Sequence, residues 1–216
     1  MAGGSSGLLL GLYYGGTGWG IVASAVSVPW VLQAMADRPH AWAWAWWALA
    51  GLCALATGAL AWVAGALRRH DRGASASTAT AASAPAAPSP VSLWRFTPAL
   101  AGYTLFGVGY IGYMTFVIAL LRDQGHGSGA VTFFYSLLGL AVVASSRIWA
   151  GLLDRYKNGQ PLARLNALLG VATVLPALTS AWPVLLASGA LFGGVFLSVV
   201  ASTTALVRHN LPPARW

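Results

Sequence analysis

Apolar residues run through this chain in long blocks with short polar punctuation between them. About 20 helical residues cross the hydrocarbon core of a bilayer. By that ruler six spans are expected, at residues 8–32, 42–67, 96–121, 131–153, 162–180 and 183–207. None of the blocks alternates with period two, and an open strand would leave its backbone groups unpaired in lipid, so helices are the predicted element. The stretch between the second and third blocks differs. RRHDRGASASTATAASAPAAPSPVSLWR, residues 68–95, is too polar to span and too weakly apolar to pack. It reads as a flexible linker dividing the chain into residues 1–67, with two spans, and 96–216, with four. Thr97–Pro98 and Trp182–Pro183 suit helix starts, where the missing proline N–H costs nothing, while Pro29 and Pro176 lie inside spans and predict kinks.

Composition decides the solvent. Of the 216 residues 57% are hydrophobic and 7% charged, whereas a soluble domain carries about 25% charged residues. Lipid must therefore solvate most of this chain, which is read as an all-α membrane protein. The first block is too long for a signal core, and MAGGSSG lacks the basic segment that a signal needs. Twelve Lys and Arg against four Asp, with no Glu, give a net charge of +8. The cations lie between the blocks, a pattern of orientation signals rather than a nucleic-acid stripe, and no nucleic-acid partner is expected. Arg68, Arg69, Arg72, Arg95, Arg155, Lys157, Arg164, Arg208 and Arg215 fall on segments 68–95, 154–164 and 208–216, whereas the alternate loops hold only Arg38 and Arg122. That bias places the linker, the 154–164 turn and the tail in the cytoplasm, and with six spans the amino terminus joins them. The expected location is a bacterial cytoplasmic (inner) membrane, spanned several times. AWAWAWW at 42–47 then forms an aromatic belt at the outer start of the second span. Cys53 sits in mid-span as a small packer. No span contains His, Asp or Glu, so no metal, cofactor or catalytic base is expected, and the chain is not read as an enzyme.

Charge returns in one place, SSRIWAGLLDRYKNG at 145–159. Asp154, Arg155 and Lys157 close the fourth span and form a candidate gating loop, acting against neighbouring helix ends or lipid headgroups. Arg147 lies seven residues, or about 10 Å, deeper. It either snorkels to the interface or faces a pathway and attracts an anionic group. The third span contains GYTLFGVGYIGYMTF, with glycines at 102, 107, 109 and 112. Small residues in lipid permit close backbone approach or open space beside a ligand. Tyr103, Gly107, Tyr110 and Met114 share a face and Tyr113 flanks it, an aromatic wall with polar tips suited to an amphiphilic or ring-bearing solute; helix packing is the other reading of the same residues. LFG at 105–107 recurs at 191–193 in the last span, ASGALFGGVFLSVVAS, where Gly193 and Ser198 are candidate cavity residues. In the first span Gly16, Gly20 and Ser24 form a small-xxx-small ladder for helix packing.

GYTLFGVGYIGYMTFVIALLRDQG, SSRIWAGLLDR and LFGGVFLSVVASTTALVR together resemble the YbfB/YjiJ branch of the major facilitator superfamily, over most of residues 8–211. The resemblance implies two six-helix bundles rocking about a central site, and the spans here match that architecture's fifth to tenth helices. It makes 68–95 the inter-bundle loop and implies that the third and last spans line the cavity. GLLDRYKNG is similar to the superfamily's loop motif in Asp154 and Arg155, with Gly151 and Gly159 displaced. The expected function is secondary transport of a small organic solute by an incomplete or truncated copy, whose partners are the bilayer, the solute and the missing helices of a complete carrier. A non-transporting membrane subunit docking through Gly16, Gly20 and Ser24 is the alternative.

Overall fold

The computed structural model describes residues 6–74, 94 and 97–210, with the side chains of 13–66, 94, 97–207 and 210. Seven helices appear among the described residues: α1 (Ser6–Ala34), α2 (Ala41–Ala74), α3 (Thr97–Asp123), α4 (Ser128–Ile148), α5 (Ala150–Arg155), α6 (Gln160–Leu178) and α7 (Trp182–Asn210). Five stretches among the described residues are long and apolar enough to cross a bilayer: Ala41–Ala66, Thr97–Asp123, Ser128–Arg155, Gln160–Leu178 and Trp182–Val207. α1 has the length, at 29 residues, and the side chains of 6–12 at its start lie outside the described residues. Of the expected linker, the backbone to Ala74 continues α2. Trp94 is described too, and the remainder of 75–96 lies outside the described residues, as does the tail from 211, including Arg215.

The chain divides into two compact units, residues 1–26 with 91–216, and residues 27–90. In the larger unit α7 is the hub, packed along α4 and α6; α3 rests on α6 and α7. Phe134, Leu138, Leu165, Leu185, Phe192, Val195 and Val199 are fully buried there. The α4–α7 contact is close because of glycine. A methyl group at Gly189 would stand 2.7 Å from the Phe134 ring, and one at Gly193 would collide with the Leu138 carbonyl oxygen. Gly189 and Gly193 are four residues apart, so one face of α7 is left bare for α4.

The fourth span is distorted at Trp149 (φ −101°, ψ −4°), where α4 passes into α5 while the Trp149 N–H still donates to the Ser145 carbonyl at 3.1 Å and the Leu153 N–H to the Trp149 carbonyl at 3.0 Å. At this distortion the Trp149 indole N–H donates to the Gly194 carbonyl of α7 at 2.6 Å, which ties it to the hub.

The close contact of α1 also differs from expectation. Gly16 and Gly20 are exposed, with nothing within 4 Å of an added Cβ, and the Ser24 hydroxyl bonds only its own helix, donating to the Ile21 carbonyl at 2.9 Å. Gly15 and Gly18 make the approach instead. A Cβ at Gly18 would lie 2.5 Å from the Gly139 carbonyl oxygen of α4, and one at Gly139 would lie 2.8 Å from the Gly18 carbonyl oxygen. With Val22, these residues fall at i, i+3 and i+7, so the rotation of α1 turns this stripe to α4 and the 16–20–24 stripe away. Tyr14 adds a 3.3 Å hydroxyl contact to Thr204 of α7.

The smaller unit contains the end of α1, a turn at 35–40 and α2. His40 holds a left-handed conformation (φ 61°) before α2 begins, and its ring meets Trp42 edge-on at 6.2 Å. Trp42, Trp44, Trp46, Trp47 and Trp62 are all exposed, as side chains in contact with lipid would be.

Candidate functional site

α3 sits at the edge of the larger unit and joins two features, a ladder of aromatic rings and a groove. The ladder starts on α3, where Tyr103, Phe106 and Tyr110 stack at centroid distances of 5.5 and 5.8 Å. It crosses to α7 through Tyr110–Phe196 at 5.2 Å, follows Phe196–Phe192 at 5.6 Å, and returns to α3 through Phe192–Tyr113 at 4.0 Å. Residues three, four and seven apart share a helix face, so a single stripe of α3 and one turn of α7 supply all six rings. Each such pair contributes roughly 0.5–1.5 kcal/mol beyond the area it buries. Tyr103 and Tyr110 keep exposed edges while Phe106 is buried.

The ladder ends in a polar relay inside the apolar bundle. Pro176 of α6 has no N–H, so the Ala172 carbonyl four residues earlier loses its helical donor. The Ser188 hydroxyl of α7 supplies one, donating to that carbonyl at 2.7 Å. With its proton so used, Ser188 accepts from the Tyr113 hydroxyl at 2.8 Å. Three helices are thus joined through one serine that is fully buried. Satisfying each of these groups matters because an unpaired buried polar group costs about 1–3 kcal/mol.

Between α3 and α6 lies the groove. One part, of about 360 Å³, is lined by Gly109, Gly112, Tyr113, Phe116, Thr173 and Pro176 among others. The adjoining part, of about 280 Å³, includes Gly102, Phe106, Gly109, Asn166 and Thr173. Gly109 and Thr173 border both. An added Cβ at Gly107, Gly109 or Gly112 would meet nothing within 4 Å. These three glycines therefore border open space, whereas Gly139 and Gly193 bring backbones together and Gly189 admits the Phe134 ring. Asn166 reaches toward the Gly102 carbonyl at 3.5 Å, a long contact at the margin of a hydrogen bond.

The predicted site residues distribute unevenly over this geometry. Tyr103, Tyr110 and Tyr113 join in the ladder, and Tyr113 also lines the groove. Met114 is half-buried against the core, and its carbonyl accepts from the Tyr135 hydroxyl at 3.1 Å. Gly107 faces open space. Gly193 and Ser198 lie buried in α7, Gly193 at the α4 crossing rather than on a cavity wall. Arg147 is exposed at the end of α4, and Asp154, Arg155 and Lys157 are exposed at and after the end of α5. Phe106, Phe192, Phe196, Ser188 and Asn166 are additions. The signal for Phe192 and Phe196 was present, as two rings four apart on the span that repeats LFG; Ser188 could have been found only by pairing it with the carbonyl that Pro176 frees.

Five long apolar stretches among the described residues are those of a multi-pass membrane protein. Over residues 2–215 the chain matches the family described as "Uncharacterised MFS-type transporter YbfB", and it belongs to that family of major facilitator transporters. No curated protein and no solved structure matches it.

Proposed function

We propose that this chain serves secondary transport of a small organic solute, with the glycine–aromatic face of α3 as the solute-facing wall. The observation that carries the reading is a groove beside the ring ladder: Gly109 and Gly112 of α3 border it with nothing within 4 Å of an added Cβ, while Gly139, Gly189 and Gly193 at the helix crossings meet neighbouring helices. A stack of rings with phenol tips offers flat apolar area and hydrogen bonds together, which suits a ring-bearing or amphiphilic solute. Rocking of two bundles about a midplane site is the mechanism that the superfamily resemblance implies. Asp154, Arg155 and Lys157 act as its gating loop. Arg147, exposed at the end of α4, attracts an anionic group on the solute. The basic bias places the 154–164 turn and both termini in the cytoplasm, at the inner membrane of a bacterium.

The test fills the groove without disturbing the fold. Gly112→Leu adds bulk where nothing lies within 4 Å, so melting of the purified protein should be unchanged. Solutes drawn from a library of small organic compounds should raise the melting temperature of the wild type and fail to raise that of Gly112→Leu or Tyr110→Ala. Equal shifts in all three proteins would remove α3 from the pathway. The absence of any stabilising solute, together with capture of a specific membrane protein by the exposed Gly16–Gly20 face, would favour a docking subunit. Orientation is checked separately with Cys53→Ala carrying one introduced cysteine at position 75 or 126. From outside intact cells 126 should be labelled and 75 protected; the reverse inverts the topology.

A further inference from the structure

The turn between α5 and α6 gathers like charges that the solute wall does not use. Arg155 closes α5, Tyr156 and Lys157 follow, and Arg164 stands in the first turns of α6. Both guanidiniums converge on one ring: the Arg164 Cζ lies 4.8 Å and the Arg155 Cζ 5.7 Å from the Tyr156 centroid. Two cations repel, and the negative face of an aromatic ring offsets that repulsion. The turn itself is fixed. Asn210 Nδ2 donates to the Lys157 carbonyl at 3.0 Å and to the Leu206 carbonyl at 2.8 Å, and the Gln160 N–H donates to Asn158 Oδ1 at 3.1 Å. Arg155, Lys157 and Arg164 are exposed and Tyr156 is half-buried. The one carboxylate in the segment, Asp154, has an interaction of its own.

The phenol is drawn into the same arrangement. The neighbouring Arg164, and after it Arg155, holds the phenol's pKa below the ordinary value of 10.0, which makes its O–H a stronger donor. Planar guanidiniums match the oxygens of a phosphate better than lysine ammoniums do. The turn also joins the ends of two membrane-crossing stretches, Ser128–Arg155 and Gln160–Leu178, which is the depth of the lipid phosphates.

We infer that Arg155, Tyr156, Lys157 and Arg164 form a seat for the phosphodiester headgroup of an anionic bilayer lipid. The seat does not depend on the solute reading. Its test uses the purified full chain in neutral detergent, titrated with phosphatidylglycerol, phosphatidylcholine or inorganic phosphate, with bound lipid counted by native mass spectrometry. The wild type should retain phosphatidylglycerol over phosphatidylcholine. A cation near an anionic surface contributes about fivefold in binding, so Arg164→Gln should lose about fivefold of that preference and Arg155→Gln/Arg164→Gln about twenty-five-fold. Tyr156→Leu keeps every charge and removes the ring that gathers them; it should lose several-fold, while Arg38→Gln loses nothing. Should the double variant fail to fold, Tyr156→Leu decides alone. Wild-type preference in Tyr156→Leu would reduce the turn to unstructured positive charge and overturn the seat, as would displacement of the lipid by millimolar inorganic phosphate.

Discussion

α2 and α7 are both apolar and long enough to cross a bilayer, yet they stand in opposite surroundings. In the most apolar stretch of α7, 61% of the residues are buried within its unit; in that of α2 none are. Hydropathy cannot separate the two, because lipid tails and a helix bundle are equally apolar solvents. The two differ in what their bare and bulky positions meet. α2 spaces bulky Trp42, Trp44, Trp46, Trp47 and Trp62 around its surface, and they stay exposed. α7 alternates bare and bulky positions, Gly189 and Gly193 on one face, Phe192 and Phe196 on another, and both faces are occupied. α2 carries glycines as well, at 51, 58 and 65, and nothing lies within 4 Å of them, so a notch becomes a contact only where another helix presents a matching surface.

The notches give the largest effect that can break the comparison. Gly193→Leu drives a side chain into the Leu138 backbone, which cannot rotate aside. Overpacking a tight contact costs about 1–3 kcal/mol, and more where backbone must move, so this variant should lose about 3 kcal/mol and show a large drop in melting temperature. The paired substitutions Gly51→Leu and Gly58→Leu in α2 meet open space and should melt like the wild type. If all three melt alike, the burial of α7 is not what holds the larger unit together.

Gly18→Leu comes next. Its Cβ would meet the Gly139 carbonyl oxygen at 2.5 Å and the Val143 N at 2.9 Å, both backbone atoms, but on one neighbouring helix at the unit's edge rather than at the hub. A loss of about 2 kcal/mol is expected, read by thermal melting, with Gly16→Leu and Gly20→Leu unchanged. A reversed ranking would restore the 16–20–24 stripe as the packing face.

That reversal of stripes shows what a sequence alone can carry. The long apolar helices follow from length and composition, and the Tyr103–Tyr110 stripe follows from helical period, because each depends on one helix only. The use of Gly15 and Gly18 in place of Gly16 and Gly20 depends on how α1 is rotated, which its neighbour α4 decides through Gly139 and Val143. Both stripes carry small residues, so spacing does not choose between them. The distortion at Trp149 is hidden for a similar reason: no proline or glycine occupies that position, and the indole bond to Gly194 is made to a helix more than forty residues away. Continuation of α2 to Ala74 carries its backbone into RRHDR, whose polarity predicts a linker and whose helical state composition does not reveal.

Pro176 is the intermediate case, predicted as a kink from sequence but with its compensation found only in three dimensions. Ser188→Ala would leave the Ala172 carbonyl and the Tyr113 hydroxyl without the partner each has now. Exposing one buried acceptor costs about 1–3 kcal/mol, and a stability loss of about 2 kcal/mol is expected. Tyr113→Phe removes only the donor to Ser188, whose own bond to Ala172 survives, so about 1 kcal/mol is expected. The ring itself remains stacked on Phe192. The double variant should then cost little more than Ser188→Ala alone, because both substitutions break the same link. Additive losses would mean that Tyr113 and Ser188 act separately, and the relay between the aromatic ladder and the proline of α6 would dissolve. Pro176→Ala offers the complementary trial: it restores an N–H to α6 that can compete for the Ala172 carbonyl, and in that background Ser188→Ala should cost markedly less than it does beside the proline.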